Sequence, residues 1–304
     1  MVMNHAQLRA FHAVATEGGF TRAAAALRVS QPTLSSQVKA LEQAHGVRLF
    51  ERRGRTVVPT ELGRALLDIS RRLFALETEA EQLLAAAHGL VRGHLRIGAD
   101  APYHILEALA DFGQRYPGVR LSLVTGNSET LRHDLFEHRT DVAVIANVAG
   151  DPRLVALPLR HDRLVAFVGR RDPWARRRQI RLAELASRRL VLRELGSTTR
   201  RVFEMALARA GVALGEVLEV GGREAVREAV AAGLGIGIVS ASEFGDDRRL
   251  AHLALAGAEV DVIEYLVCLA ESRDLRLVRA FVEIVEAQIG ARRARSPRQP
   301  ASAP

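Results

Sequence analysis

Apolar positions recur at helical spacing near the N-terminus and predict three short helices. The first should end at the glycine pair Gly18–Gly19, and its apolar face is formed by Leu8, Phe11, Val14 and Ala15. Thr21 is expected to cap the second helix, residues 22–27, because a hydroxyl group can accept from the free N–H groups of a first turn. The third helix should begin after Ser30, accommodate Pro32 in its first turn, and bury Leu34, Val38 and Leu41.

The opposite face of the third helix is polar and carries short hydroxyl and amide side chains. Such groups can read base edges in the major groove of duplex DNA. Residues 51–57 then predict a short two-stranded wing with a turn at Gly54, whose arginines could meet phosphates. The alternative interpretation is a small helical bundle with a solvated polar face. The DNA-binding interpretation assigns contacts to Thr21, Arg22, Gln31, Pro32, Thr33, Ser35, Ser36, Gln37, Lys39, Arg52, Arg53 and Arg55.

A long helix follows, and its apolar positions repeat every 3.5 residues. Thr60 is expected to cap this helix, and Glu61 suits the positive end of the helix dipole. Steps of four and three residues alternate along Leu62, Leu66, Ile69, Leu73, Leu76, Ala80, Leu83 and Ala87. Such a repeat is typical of a coiled-coil seam, so we expect it to hold two chains together in a homodimer or within a homotetramer. The alternative is that the helix packs on the C-terminal domain of its own chain.

From residue 94 onward, strand and helix patterns alternate, which predicts an α/β fold with parallel sheets. Strands are expected at 95–98, 119–124, 141–146, 190–193, 217–221 and 236–239, and helices at 103–116, 129–137, 197–210, 223–232 and 275–289. Two crossovers, near residues 160–168 and 260–266, would join two similar halves. A cleft between the halves follows from this arrangement.

Polar residues follow several of these strands, where an open α/β sheet binds ligands. Free N–H groups and hydroxyls at the helix starts, with Arg200 nearby, favour an anion site. The alternative is that these residues are ordinary helix caps. Asp100 differs, because a carboxylate there would repel an anion and attract an ammonium group. We therefore expect an anionic or zwitterionic small molecule, bound by Ala99, Asp100, Ala101, Asn127, Ser128, Asn147, Arg193, Ser197, Thr198, Thr199, Arg200 and Gly222.

The N-terminal residues resemble the DNA-binding domain of LysR-type transcriptional regulators. The matching runs are Leu8–Phe11, Gly19–Ala24, Val29–Pro32, Leu41–Glu42, Gly46–Arg52 and Thr60–Gly63, with Leu27 and Ser35 between them. The resemblance implies a winged helix-turn-helix, a dimerising linker helix and an effector domain of two subdomains like those of periplasmic binding proteins. Many relatives carry arginine directly after the residue that matches Ser35. This chain has Ser36 there, so the contacts usually credited to that arginine are in question.

The resemblance also implies domain boundaries and a ligand class. The expected divisions are a winged helix-turn-helix over 1–60, a linker helix over 61–92, an effector domain over 93–290 and a disordered basic tail over 291–304. Subdomain I should span about 93–162 and 266–290, and subdomain II about 163–265.

The stretches 99–104, 126–129, 196–201 and 222–230 are similar to a LysR-type subgroup associated with 2-aminoethylphosphonate catabolism. The implied function is sequence-specific transcriptional regulation controlled by a small-molecule effector such as 2-aminoethylphosphonate.

The distribution of charge supports a DNA-binding head. The net charge is +8, and residues 1–60 hold eight Lys or Arg against three acidic residues, while the segment after Gly290 holds four Arg and no acid. This is the pattern of a phosphate-binding head on a neutral body. Cys268, the single cysteine, excludes a disulfide framework and a thiolate metal cluster. With neither an export signal nor a run of about 18 apolar residues, a cytoplasmic protein without a membrane partner is expected.

Two other classes of protein remain as alternatives. An enzyme is suggested only by Gly233, Gly235 and Gly237, but this glycine motif follows a helix and enters a strand, the reverse of a dinucleotide-binding turn. No nucleophile elbow or His-Glu-x-x-His pair occurs, so we expect no enzyme, no cofactor and no metal site. A small-molecule binding protein without a DNA-binding role is the second alternative. The basic N-terminal segment argues against it.

Overall fold

The computed structural model describes residues 4–53, 56–87, 93–148, 150–257 and 260–295. The chain divides into two compact units, Met1–Leu90 and Val91–Pro304, and each is described by itself. The first unit contains α1 (His5–Glu17), α2 (Phe20–Leu27), α3 (Gln31–His45), β1 (Phe50–Arg53), β2 (Thr56–Pro59) and α4 (Glu61–Ala87).

The three short helices pack around one apolar core. The residues whose spacing predicts these helices are buried there, namely Leu8, Phe11, Val14, Leu34, Val38 and Leu41. Ser30 caps α3 as predicted, because its hydroxyl accepts from the backbone N–H of Thr33 at 3.2 Å. The pattern of apolar residues therefore places α3 with one face inward and its polar face outward.

The start of α2 differs from the prediction. The helix begins at Phe20, and Gly19 is its N-cap, so Thr21 lies inside the first turn and does not cap it. The reason is that the backbone N–H of Ala23 donates to the carbonyl of Gly19 at 3.1 Å, which closes the first turn two residues earlier. The hydroxyl of Thr21 is consequently available to another element.

The long helix α4 starts where its cap predicts. Thr60 Oγ1 accepts from the backbone N–H of Gly63 at 3.0 Å. Gly63 also permits a close approach, since a Cβ at this position would lie 2.2 Å from the carbonyl oxygen of Leu49. Further along, Ser70 is buried and its hydroxyl lies 2.9 Å from Nδ1 of His12 on α1. The first turns of α4 are therefore fixed to the three-helix core.

The second unit alternates strands and helices as predicted. Its first part contains β3 (Gly93–Ala99), α5 (Leu106–Arg115), β4 (Val119–Thr125), α6 (Ser128–Phe136), β5 (Val142–Ala146) and β6 (Leu154–Gly169). There follow β7 (Gln179–Arg181), α7 (Leu182–Leu185), β8 (Leu190–Arg193), α8 (Thr198–Arg209), β9 (Val217–Val220), α9 (Arg223–Ala231) and β10 (Ile236–Ser240). The unit ends with β11 (Leu250–Ala256), β12 (Asp261–Leu269) and α10 (Arg276–Arg295).

One mixed sheet organises this unit, with the strand order β4-β3-β5-β12-β6-β10-β8-β9. The pairs β3–β4, β3–β5, β8–β9 and β8–β10 are parallel. Between the two parallel sets lie the long strands β6 and β12, which are antiparallel to each other and contain both predicted crossovers. We call the part with β3, β4 and β5 lobe 1, and the part with β8, β9 and β10 lobe 2. Each lobe has its own apolar core.

Three predictions for this unit require correction. Residues 102–104 form a 3-10 turn and α5 begins at Leu106, because the N–H of Ile105 bonds to the carbonyl of Pro102 at 3.0 Å. Strands β7 and β11 were not predicted. Residues 291–295 are helical rather than disordered, since α10 continues to Arg295 and Arg292 Nη2 donates to Glu107 Oε2 at 2.6 Å. Residues 296–304 of the predicted tail lie outside the described residues.

Candidate DNA-binding face and effector cleft

The polar face of α3 is open to solvent. Thr21 of α2 donates its hydroxyl to Oε1 of Gln31 at 3.3 Å, which joins the two helices at the start of α3. Arg22, also a predicted DNA contact, donates from Nη2 to the carbonyl of Gly18 at 3.2 Å, so one of its nitrogens is used inside the protein. The exposed predicted residues are Thr21, Arg22, Gln31, Pro32, Thr33, Ser35, Ser36 and Lys39, and Gln37 is half-buried.

The wing is anchored to α3 by a carboxylate. The strands β1 and β2 pair in antiparallel register. Glu42 Oε1 accepts from the backbone N–H groups of Leu49 at 2.7 Å and Phe50 at 3.3 Å, just where β1 begins. Arg52 on this strand is exposed. Of the other predicted wing contacts, Arg55 and the side chain of Arg53 lie outside the described residues.

The apolar seam of α4 is partly buried within its own chain. Leu66 and Leu73 are half-buried, and they pack against the core residues Leu8, Phe11 and Leu41. Three other apolar side chains of the predicted seam are exposed and lie seven residues apart. Their exposed fractions are 49% for Leu62, 58% for Ile69 and 61% for Leu76. We call these three side chains the exposed stripe. The side chain of Leu83 lies outside the described residues.

The predicted effector residues lie at the ends of β3, β5 and β8 and at the starts of α6, α8 and α9. Ala99 and Ala101 are completely buried and do not line the cavity. Thr199 lines a space of only about 10 Å³ beside Phe244. A larger cavity of about 350 Å³ lies between the lobes, and its polar lining includes Ser128, Arg132, Asn147, Ser197, Thr198 and Arg201. Of the predicted effector residues, the cavity lining contains Ser128, Asn147, Ser197, Thr198 and Arg200, but not Asp100, Asn127, Arg193 or Gly222.

Asp100 is held by both lobes. Ser128 donates to Asp100 Oδ2 at 2.5 Å from lobe 1, and Arg223 Nη1 donates to the backbone carbonyl of Asp100 at 2.7 Å from lobe 2. Burial raises the pKa of Asp100, although the bond from Ser128 and the charge of Arg223 act in the opposite direction. Asp100 is consequently not the open carboxylate that the sequence suggested.

Two further buried acids complete what we call the acidic cluster, formed by Asp100, Glu243 and Glu264. Glu243 is 5% exposed and Glu264 is 3% exposed. Arg223 Nε lies 2.7 Å from Glu243 Oε2. Burial raises the pKa of Glu243, and burial together with the charges of Asp100 and Glu243 raises the pKa of Glu264 to about 9. At neutral pH the cluster therefore keeps at least one proton.

Asn147 has a structural role in addition to lining the cavity. Its backbone is left-handed at φ 49°, a conformation that asparagine tolerates better than most residues. Its N–H donates to the carbonyl of Ile263 at 2.8 Å, and its Oδ1 accepts from the N–H of Ile263 at 2.8 Å. Asn147 thus fixes the end of β5 to β12, and its side-chain oxygen is already used.

The predicted anion site at Gly222 is occupied by the chain's own carboxylate. Glu194 Oε2 accepts from the backbone N–H of Gly222 at 3.0 Å and from Arg193 Nε at 2.9 Å. Glu194 Oε1 accepts from Arg193 Nη2 at 2.7 Å and from Asn127 Nδ2 at 3.3 Å. Burial opposes ionisation of Glu194, but these bonds outweigh it and lower its pKa to about 2. We call the donors Arg193, Gly222 and Asn127 the Glu194 cradle.

Arg200 lines the cavity, and its guanidinium is also engaged within the protein. Its Nε donates to Glu204 at 2.7 Å, and its Nη1 donates to Glu219 at 2.6 Å and to the carbonyl of Arg193 at 2.8 Å. Only 12% of its side chain is exposed. Its positive charge is therefore neutralised by two carboxylates of lobe 2, although both Arg200 and the exposed Arg201 line the cavity.

Sequence reasoning missed the charged residues that organise the cleft. Glu264 had a visible signal, because it interrupts the apolar alternation Val262, Glu264, Leu266 on the buried face of β12. Arg223 directly follows the predicted Gly222 at the start of α9. Glu194 and Glu243 lie in the segments that follow β8 and β10, and no short sequence motif predicts the geometry of these segments. In the described ranges, no helix is long and apolar enough to cross a membrane, and no group of His, Cys, Asp and Glu side chains could hold a metal ion.

Two family profiles match the chain and together cover most of it. Residues 5–64 match the bacterial regulatory helix-turn-helix protein of the lysR family, and residues 88–290 match the LysR substrate binding domain. The chain belongs to the LysR family. It is a LysR-type DNA-binding transcriptional regulator with an effector domain, and the enzymatic alternative is set aside because its relatives are regulators.

Two curated relatives extend over nearly the whole LysR-type chain. It is 33% identical over 280 residues to the HTH-type transcriptional activator CmpR of Synechocystis, covering 90% of this chain and 91% of that one. It is 35% identical over 284 residues to the RuBisCO operon transcriptional regulator of Allochromatium vinosum, covering 92% and 94%. These names do not refer to phosphonates, so the phosphonate subgroup stays a prediction.

Solved structures of LysR-type proteins share the fold. Full-length OxyR from Pseudomonas aeruginosa aligns with a TM-score of 0.73 at 23% identity, over 95% of each chain. CbnR in complex with its target DNA aligns with a TM-score of 0.63 at 26% identity, over 94% of this chain and 99% of that one. The regulatory domain of Synechocystis CcmR in complex with 2-PG aligns with a TM-score of 0.60 at 27% identity, over 65% of this chain and 98% of that domain.

Proposed function

We propose that this LysR-type chain binds a partly palindromic promoter site in double-stranded DNA as a homodimer or homotetramer, and that a small molecule in the cleft controls this binding. The exposed polar face of α3 carries the proposal. Its amides and hydroxyls can bond to base edges in the major groove, and the basic wing beside it suits phosphates. The bond from Thr21 to Gln31 Oε1 orients this amide and leaves its nitrogen as a donor.

Dimerisation is supported by the exposed stripe on α4. Leu62, Ile69 and Leu76 form one row along the helix, each about half exposed or more. A second copy of the same helix can cover this row, because apolar residues seven apart align on one side of a coiled coil. A two-fold axis would then relate two α3 helices, with half-sites about 34 Å or a multiple apart.

In this proposal the effector carries an anionic group and a protonated amine. Asp100 of the acidic cluster lies directly behind Ser128, and Glu129 and Asp151 line the cavity itself, so carboxylates are available to an amine. Arg132 and Arg201 line the same cavity and suit the anionic group. The first ligand to test is 2-aminoethylphosphonate, which has both charges. 2-Phosphoglycolate, an anion without an amine, is the natural contrast, and the CcmR regulatory domain is in complex with 2-PG.

A gel shift with the region upstream of the chain's own gene tests the DNA-binding half. The variant Gln31→Ala should weaken the specific shift about tenfold or more, because it removes a base-reading amide. The matched control is Gln43→Ala, which removes an exposed amide near the other end of the same helix. Equal shifts by wild type and Gln31→Ala, or equal losses in both variants, would contradict the assignment of α3.

Calorimetric titration of the full chain tests the effector. We expect 2-aminoethylphosphonate to give more binding heat than 2-phosphoglycolate, which lacks an amine, or alanine, which has an amine but no phosphonate. Comparable heats for all three ligands would contradict the proposed zwitterionic effector. The proposal that the chain binds DNA is tested separately by the gel shift.

A further inference from the structure

We propose that the carboxylate of Glu194 is a tethered substitute for the anionic group of the effector, and that the Glu194 cradle binds a carboxylate, phosphate or phosphonate once Glu194 is displaced. The inference rests on the proposed function, in which a small molecule enters the cleft. It adds a second position for the effector's anion and an internal competitor for that position.

The donors around Glu194 form an anion site in their own right. One carboxylate receives four hydrogen bonds of 2.7 to 3.3 Å, two of them from the Arg193 guanidinium in a parallel arrangement. Planar anions bind arginine in this way with the greatest strength. The side chain of Arg193 is only 10% exposed, so its charge would be costly without an anionic partner.

The fourth donor lies at the start of a helix. Gly222 is the N-cap of the nine-residue α9, and its φ of 86° is a conformation that favours glycine. Its N–H points to Glu194 Oε2 at the positive end of the helix dipole. The combination of a guanidinium, a helix N-terminus and an amide does not select the glutamate side chain over any other carboxylate or phosphonate oxygen.

Glu194 lies next to the cavity but is not part of its lining. Its side chain is 24% exposed, and the residues that follow it, Leu195 and Gly196, line the 350 Å³ cavity between the lobes. A ligand in this cavity therefore approaches the cradle past the loop that carries Glu194. In the proposed exchange the Glu194 side chain rotates about its own bonds and leaves the cradle, while Arg193, Gly222 and Asn127 stay in place.

The exchange would also change how the lobes are connected. Asn127 belongs to lobe 1, whereas Arg193 and Gly222 belong to lobe 2, and Glu194 joins all three. A free anion that replaces Glu194 makes the bridge from Asn127 to lobe 2 dependent on the ligand. An anion that binds more tightly in one arrangement of the two lobes than in another therefore shifts the equilibrium towards the first arrangement.

The test compares Glu194→Ala with wild type in the full chain, using inorganic phosphate, 2-phosphoglycolate and 2-aminoethylphosphonate as probes. Removing the internal competitor should tighten binding of at least one probe about tenfold or more, because the cradle is then vacant before the ligand arrives. The control Glu216→Ala removes a lobe 2 carboxylate that is bound to Arg189 and is 66% exposed, and neither residue lines the cavity. This control should leave the probe affinity within about twofold of wild type. The comparison then distinguishes the effect of an empty Glu194 cradle from the effect of losing one negative charge.

A second variant identifies the donors. In the Glu194→Ala background, Arg193→Gln should abolish the gain in affinity, and phosphate should raise the melting temperature of Glu194→Ala more than that of the double variant. Unchanged or weaker probe binding by a folded Glu194→Ala chain would overturn the inference. Such a result would not affect promoter binding, so failure of the proposed function is detected separately by the gel shift.

Discussion

Replacing Glu264 by glutamine removes one ionisable group from the acidic cluster and nearly preserves its shape. Glu264 is 3% exposed, and its pKa is raised to about 9 by burial and by the charges of Asp100 and Glu243. Glutamine retains a hydrogen-bond donor towards Asp100, as protonated Glu264 does. We therefore expect the variant to fold and to lose one defined part of the pH dependence of stability.

The direction of this pH dependence follows from the raised pKa. The unfolded chain releases the Glu264 proton near the usual pKa of 4.5, whereas the folded chain keeps it until about 9. Between these values the folded state binds more protons, so the free energy of unfolding falls as pH rises. One group contributes at most about 1.4 kcal/mol per pH unit, or about 4 kcal/mol between about pH 5 and pH 8. This stabilisation is complete below the unfolded pKa.

Urea unfolding at several pH values measures the effect. Trp174 is the single tryptophan and lies in the second unit, so its fluorescence reports the unfolding of the unit that contains Glu264. Wild type should lose more stability between about pH 5 and pH 8 than Glu264→Gln does, and the exposed control Glu219→Gln should follow wild type. Parallel curves for wild type and Glu264→Gln would refute the claim that Glu264 is buried in its protonated form.

Three further substitutions test other parts of the structure. Ile69→Asp places a charge in the exposed stripe and should convert the dimer into monomers in sedimentation experiments, while an unchanged mass would exclude this seam. Thr21→Val removes one hydrogen bond to Gln31 and should weaken specific promoter binding about fivefold in a gel shift without changing binding to unrelated DNA. Asn147→Ala should lower the free energy of unfolding of the second unit by about 1–3 kcal/mol through lost bonds and backbone strain, and an effect below experimental error would contradict its anchoring role.

The elements of the fold could be predicted from sequence because apolar periodicity determines which face is buried. The spacing of Leu34, Val38 and Leu41 was enough to predict which face of α3 is buried. The alternation of strands and helices was enough to predict the two sets of parallel strands in the second unit. The seam of α4 was predicted too broadly, since Leu66 and Leu73 serve the core of their own chain. Spacing identifies apolar positions, but it does not reveal which neighbour covers each one.

The cleft could be located from sequence, but its chemistry could not. The ends of β3, β5 and β8 indicated the correct region, because parallel strands end at the same edge of a sheet. Sequence did not reveal that Glu204 and Glu219 pair with Arg200, or that Glu194 accepts from the Gly222 N–H. These carboxylates come from different elements, and only the folded chain shows which charges neutralise each other.

The central claim is that two chains bind one promoter site through their α3 helices. Fluorescence anisotropy with a labelled duplex from the upstream region, compared with a scrambled duplex at the same salt concentration, tests it most directly. We expect two chains, or four, per upstream duplex and an affinity at least about a thousandfold higher than for the scrambled duplex. Equal affinity for both duplexes, or one chain per duplex, would contradict the account.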